Sequence, residues 1–162
     1  MRHFLNLSLF SLFSVLLNAS SALGGQTVPN IISLRISHQD RNYLQETEKY
    51  VFTNAQIKFN DSSWSVVGLK TRGQNCLGAP RRCFSVKANG KFQFLNANNE
   101  NSLSLKKFNL VSMWQDEGYI TSEMGYKFYE QSGTYFNKRV YAQVYVNGKN
   151  QGLYLVIEKP AD

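Results

Sequence analysis

The sequence contains few of the residues that most often carry catalysis or bind metals. It has two histidines, two cysteines and eleven acidic residues among 162. Only His38 lies outside the N-terminal segment, so a serine–histidine–aspartate triad is excluded. Two cysteines cannot supply the four ligands of a structural zinc site. The glycine-rich loops that bind nucleotide phosphates are absent, and no pair of carboxylates suggests acid–base chemistry. We therefore assign no catalytic residue and no metal ligand.

The first 24 residues predict a secretory signal peptide. A short basic start at Arg2 precedes a mostly apolar run over residues 4–17, and small residues suited to cleavage follow. The run is too short to span a membrane as a helix; an uncleaved anchor or a buried first helix is the alternative. We expect residues 25–162 to form one domain with no membrane span, secreted, periplasmic or held at the cell surface.

Positive charge is concentrated in the middle of the chain. The net charge is +7, and seven basic residues lie between positions 58 and 91, opposed there only by Asp61. This pattern favours a phosphate-bearing ligand or an acidic partner, although a solvated sheet face would look the same. Export argues against nucleic acid as the ligand. The seven residues are Lys58, Lys70, Arg72, Arg81, Arg82, Lys87 and Lys91.

The two cysteines, Cys76 and Cys83, predict a disulfide. Outside the cytosol a pair of cysteines is usually bridged. Gly78 and Pro80 lie between them and permit the tight turn that such a short loop requires.

The hydrophobic pattern predicts an α+β fold, an antiparallel sheet with one main packed helix. Two Asn-Gly pairs predict hairpin turns, one at Asn89-Gly90 and one at Asn147-Gly148. We expect further strands over residues 31–36, 50–59, 64–69 and 103–111, and a short helix over 40–48.

The main helix is predicted between two local signals. Asp116 is a suitable N-cap, and Gly133 is a suitable stop. Ile120, Met124 and Phe128 fall on one stripe of this helix and would pack on the sheet.

The order of these features resembles the spore-coat protein H (CotH) kinase-like family, over roughly residues 30 to 160. The matching steps share the family's order and spacing. They are an extended segment and helix at 31–48, Thr71-Arg72-Gly73, Pro80-Arg81-Arg82, Leu105 to Leu110, Asp116 before Gly125-Tyr126, Asn147-Gly148, and Gly152 to Glu158.

The resemblance implies an exported atypical protein kinase. Members use ATP and a divalent metal such as Mg²⁺ to phosphorylate serines, in bacteria often on spore-coat proteins. The segment here would be the N-terminal, β-rich small lobe, and the aspartates of the large lobe have no counterpart in this sequence. We thus expect no phosphoryl transfer by this chain alone. A catalytically inactive, secreted or surface-structural binding module is the alternative, and a polyanion-binding module is a third.

The resemblance also implies candidate residues for binding the nucleotide. Arg82 stands where the family usually has lysine, and Lys87 is the second candidate, on the opposite face of the strand. Arg72 could reach phosphate, and Glu158 would lie at the junction of the lobes, where adenine is commonly bound. Glu123 could pair with the basic strand residue. The partner would be a protein substrate or surface protein, possibly acidic.

Overall fold

Strands dominate the computed structural model, which describes residues 30–45, 48–95, 103–116, 118–134 and 138–159. The predicted signal peptide lies outside these residues. A 3-10 helix spans Gln39–Leu44, helix α1 spans Gln74–Leu77 and helix α2 spans Thr121–Gln131. The strands are β1 (Asn30–Arg35), β2 (Val51–Phe52), β3 (Gln56–Phe59), β4 (Ser65–Arg72), β5 (Cys83–Phe94), β6 (Leu103–Val111), β7 (Arg139–Val146) and β8 (Lys149–Glu158).

Seven of these strands close into a barrel. Around the ring the order is β1, β7, β8, β6, β5, β4 and β3, and β3 pairs again with β1. β1 runs parallel to β7, while the other neighbours in the ring are antiparallel. β2 pairs with β4 on the same edge as β3, next to β3 in the chain.

The predicted α+β fold, resembling the small lobe of a kinase, is wrong. The described chain is mostly β, and its sheet is closed rather than open. Helix α2 buries none of its residues, so it is not the second layer of the core. Met124 and Phe128, which we expected to pack on the sheet, are 64% and 68% exposed. Most apolar residues of the barrel pack in its interior. Helix α2 contributes the half-buried Tyr126 to a smaller cluster around Leu155 on the outside of β8.

One predicted hairpin is confirmed and the other is wrong. β7 and β8 are joined at Asn147 and Gly148, both with positive φ, as a two-residue turn requires. Asn89-Gly90 instead lies within β5, which continues to Phe94. Both halves of β5 pair with β6, and the register shifts between Lys87 and Phe92. The extra residues therefore form a bulge rather than a turn.

Aromatic side chains fill much of the barrel interior. Phe94 packs edge-on against Phe59 and Phe108, with ring centroids 4.8 and 5.4 Å apart. Tyr154 is completely buried, and its hydroxyl donates a hydrogen bond of 3.0 Å to the carbonyl oxygen of Arg82. Burial raises the pKa of Tyr154, so this hydroxyl stays protonated and remains a donor.

Asp40 fastens the 3-10 helix to the barrel. Its carboxylate is 1% exposed and accepts hydrogen bonds of 2.7 Å from Ser37 and from the Tyr50 hydroxyl. The hydroxyl of Thr53 donates a third, at 3.2 Å. Burial alone would raise the pKa of Asp40, but the hydrogen bonds outweigh it and hold that pKa below its usual value.

We expect Asp40→Asn to lower the free energy of unfolding by about 1–3 kcal/mol, because an amide nitrogen would face these donors. The folded-state pKa of Asp40 is depressed, so its contribution is complete above about pH 4 and is lost as the pH falls through the folded value. Urea titrations should therefore show a gap between variant and wild type at pH 7 that narrows at acidic pH. Asp61→Asn, in an exposed turn, is the control. A gap that does not change with pH would contradict this assignment.

Candidate anion-binding site on the outer barrel face

Four lysines converge on the outer face of β4, β5 and β6. Lys70, Lys87 and Lys107 come from these three strands and Lys159 follows β8, around a cavity of about 240 Å³. We call this surface the lysine trough. Among its described lining residues there is no acidic side chain.

Strand alternation places these lysines together. Leu69 and Val86 point into the barrel and are buried, so their neighbours Lys70 and Lys87 point outwards. Lys87 lies directly opposite Lys107 across the β5–β6 ladder. The amide of Lys159 donates 3.1 Å to the carbonyl of Lys107, which brings the fourth lysine to the same face.

The trough is open because Gly68 pairs with Lys87 on the β4 side. A Cβ atom at Gly68 would lie 3.6 Å from the Cβ of Lys87, so any larger side chain would occupy the floor. Lys87 and Lys107 place two cationic side chains side by side at an open cavity, which is why we regard the trough as the candidate site.

Of the two basic residues predicted to face phosphates, only Lys87 lies in the trough. Arg82 precedes β5 and is 4% exposed. Its guanidinium donates 3.2 Å to the carbonyl of Cys76 and also donates to the carbonyl of Leu44, both outside the trough.

The remaining candidates lie apart from the trough. Arg72 ends β4 opposite Cys83, half-buried on the outer face. Glu158 ends β8 opposite Phe108, and its amide bonds the carbonyl of Lys138. The sequence placed Lys159 beside Glu158 at the junction of the lobes and did not assign Lys107 or Lys159 to phosphate binding. The alternation was visible in the sequence, but the register between distant strands was not.

The predicted disulfide between Cys76 and Cys83 is present, with an Sγ–Sγ distance of 2.03 Å. The loop that it closes carries Arg81, whose Nη1 donates 3.1 Å to the carbonyl of Gln151 in β8. Next to that carbonyl, Gly152 has φ of +89°, and a Cβ there would clash with the Arg81 guanidinium. Gly152 thus lets the loop lie directly on β8.

Gly152→Ala should destabilise the protein more than Gly148→Ala. Both positions have positive φ, at +89° and +80°, but a Cβ at Gly148 meets nothing within 4 Å. The strained backbone costs about 1 kcal/mol in each case, and only the first variant also displaces Arg81. Thermal unfolding of the two variants measures the difference. Adding Arg81→Ala should abolish it; an equal loss in both single variants would contradict the contact.

Helix α2 is held to the barrel by Arg139 of β7. Its Nε and Nη2 each donate 2.9 Å to the carboxylate of Glu123, and a further bond reaches Glu130. The guanidinium also lies 5.0 Å from the centre of the Tyr126 ring. The hydrogen bonds with Glu123, despite opposing burial, raise the pKa of Arg139. Glu123 therefore pairs with a strand arginine, but with Arg139 rather than Arg82 or Lys87.

Arg139→Ala should loosen α2 without unfolding the barrel. Since the helix has no buried residue, loss of the charged hydrogen bonds should make its opening about 1–2 kcal/mol easier. Amide hydrogen exchange along α2 should accelerate about tenfold, with the β5–β6 amides unchanged. Lys138→Ala removes an exposed neighbouring charge and is the control. Unchanged exchange in α2 would show that other contacts hold it.

These features define the described part of the chain as an all-β barrel with a strongly basic outer trough. The chain belongs to the CotH family: the family described as CotH kinase protein matches residues 69–162, which confirms the resemblance seen in the sequence. The matched region includes the four trough lysines. None of the curated proteins compared with this chain matches it.

Two further findings concern the described residues alone. No group of three or more histidine, cysteine, aspartate or glutamate side chains is arranged there to hold a metal ion. Within the same residues, no helix has both the length and the apolar character needed to cross a membrane.

Proposed function

We propose that this chain is the nucleotide-binding part of an exported CotH-family kinase, and that the lysine trough binds the phosphates of ATP. Phosphorylation of serines on secreted or coat proteins would use this part together with the large-lobe catalytic residues that the family resemblance implies. Localisation outside the cytosol is supported by the leader-like N-terminus and by the disulfide.

The observation that carries the proposal is the opposition of Lys87 and Lys107 at an open cavity. Each lysine supplies a compact positive charge with three donors, and phosphoryl transfer requires positive charge on the phosphates. Lys70 and Lys159 add two further charges around the same space. A ligand with several linked phosphates satisfies this arrangement better than a single carboxylate would.

We place no metal ion in the lysine trough. The family resemblance implies Mg²⁺, whose preferred ligands are carboxylate oxygens and water. The described residues offer no such cluster, and the trough is lined by cations. We therefore assign the chain's residues to binding and charge neutralisation only.

The second candidate function is a secreted binding module that has lost catalysis and binds an acidic partner. Its support is Arg82, which replaces the lysine usual in the family and is buried against main-chain carbonyls. Such a module would bind acidic polypeptides through the trough and would not prefer nucleotides.

Lys87→Gln should weaken ATP binding by at least about tenfold, the effect of losing one charged hydrogen bond. Isothermal titration of ATP and of inorganic tripolyphosphate into the chain provides the measurement. Lys91→Gln is the matched control, since Lys91 is an exposed lysine of the same strand that lies in the bulge and does not line the trough. Equal affinity in both variants would refute the trough as the phosphate site. Preferential binding of poly-glutamate over ATP would favour the second function.

A further inference from the structure

A second cavity lies on the same outer face, beside the disulfide loop. It has a volume of about 370 Å³ and is bordered by Asn75 and Cys76 on one side and by residues 111–116 on the other. We call it the Trp114 cleft. Its lining combines the apolar side chains of Val111, Met113 and Trp114 with polar ones, the carboxamides of Asn75 and Gln115 and the carboxylate of Asp116 among them.

The cleft and the lysine trough are joined by one strand. The outward positions of β6 run from Lys107, in the trough, through Asn109 to Val111, in the cleft. Four residues of strand separate the two ends by about 13 Å. Ser85, which lines the trough, lies directly opposite Asn109, so the two cavities are separated by outward positions of adjacent strands. One extended ligand can therefore occupy both.

The walls of the cleft are fixed in place. On one side the disulfide holds Cys76. On the other, the connection from β6 to α2 contains Met113 and Tyr119 at φ of +50° and +55°, a conformation that is uncommon for bulky residues and often marks a functional site. The carboxylate of Asp116 accepts the amides of Ile120, Thr121 and Ser122 and closes this connection.

We propose that the Trp114 cleft binds the base of the nucleotide whose phosphates occupy the lysine trough. An indole in an apolar cleft suits a flat heteroaromatic ring, and carboxamides provide both donors and acceptors for the polar edge of a base. This inference rests on the proposed function. It also places the base at the Val111 end of β6, away from Lys159. The family resemblance had instead suggested a base site near Glu158.

Tryptophan fluorescence tests the proposal directly. The chain has two tryptophans, and Trp64 is stacked under Arg35, with 4.3 Å from the guanidinium carbon to the ring centre. Trp64→Phe keeps an aromatic ring there and leaves Trp114 as the only reporter. In this background we expect adenosine and ATP to change the emission of Trp114, and tripolyphosphate to bind with little change.

Two substitutions separate the two ends of the ligand. Trp114→Leu should weaken binding of adenosine and ATP about tenfold, measured by titration calorimetry, and should leave tripolyphosphate binding unchanged. Lys87→Gln should weaken ATP and tripolyphosphate and spare adenosine. Unchanged far-ultraviolet circular dichroism verifies that both variants fold. Unchanged near-ultraviolet circular dichroism of the Lys87 variant verifies that its aromatic side chains keep their packing, as the fluorescence titration of Trp114 requires.

The outcomes distinguish the inference from the function on which it rests. If tripolyphosphate binds through Lys87 but adenosine leaves Trp114 emission unchanged, the base site is refuted and the phosphate site stands. If adenosine binds but tripolyphosphate does not, the trough is refuted as the phosphate site. If N-acetyl-tyrosinamide binds the cleft as tightly as adenosine, the cleft is a site for an aromatic side chain and the inference fails.

Discussion

The parallel pairing of β1 with β7 closes the barrel, and the other features depend on that closure. Asn30 to Leu34 pair with Ala142 to Val146, which brings together segments more than a hundred residues apart in the chain. Two asparagines fasten the ends of β1. Asn30 donates to the carbonyls of Leu95 and Tyr141, and the side chain of Asn147 bonds both the amide and the carbonyl of Ile36. Asn147 thus both forms the turn between β7 and β8 and binds the main chain just after β1.

Closure separates the chemistry of the molecule into an apolar interior and a charged exterior. Inward positions are aromatic or aliphatic, so lysines on β4, β5 and β6 must gather outside. Two charged side chains are buried nonetheless, and both are hydrogen-bonded. Asp40 accepts from Ser37, Tyr50 and Thr53, and Arg82 donates to two loop carbonyls. The family match begins at residue 69, so β1 and β3, which complete the ring, lie outside the matched region.

Features with a local cause could be predicted from the sequence. The turn at Asn147 and Gly148 depends on two residues that adopt positive φ. The N-cap prediction at Asp116 is wrong in position, because helix α2 begins at Thr121 and Ile120 is its N-cap residue. The Asp116 carboxylate nevertheless accepts hydrogen bonds from the amides of the first turn. The pair of cysteines in an exported chain, with turn-forming residues between them, likewise indicated the disulfide. Asn89-Gly90 carried the same local signal as the real turn, but pairing of both halves of β5 with β6 overrode it.

Features with a long-range cause could not be predicted. Closure requires the register of β1 against β7, and the trough requires the registers of β4, β5 and β6 together. Lys87 was singled out as a candidate, but its grouping with Lys107 follows only from those registers. Similarly, the apolar stripe of α2 indicated a helix correctly, while its orientation was decided by Arg139, a residue that lies after the helix in sequence.

The ring also limits how another polypeptide can attach to this protein. An open sheet presents unsatisfied amides and carbonyls along its margin, onto which an extended peptide can add as a new strand. In the described part of the chain each of the seven ring strands already has a neighbour on both sides, and β2 contributes just two residues. Recognition of a protein partner by these strands must therefore rely on side chains and surface charge, and accidental edge-to-edge stacking between copies is disfavoured.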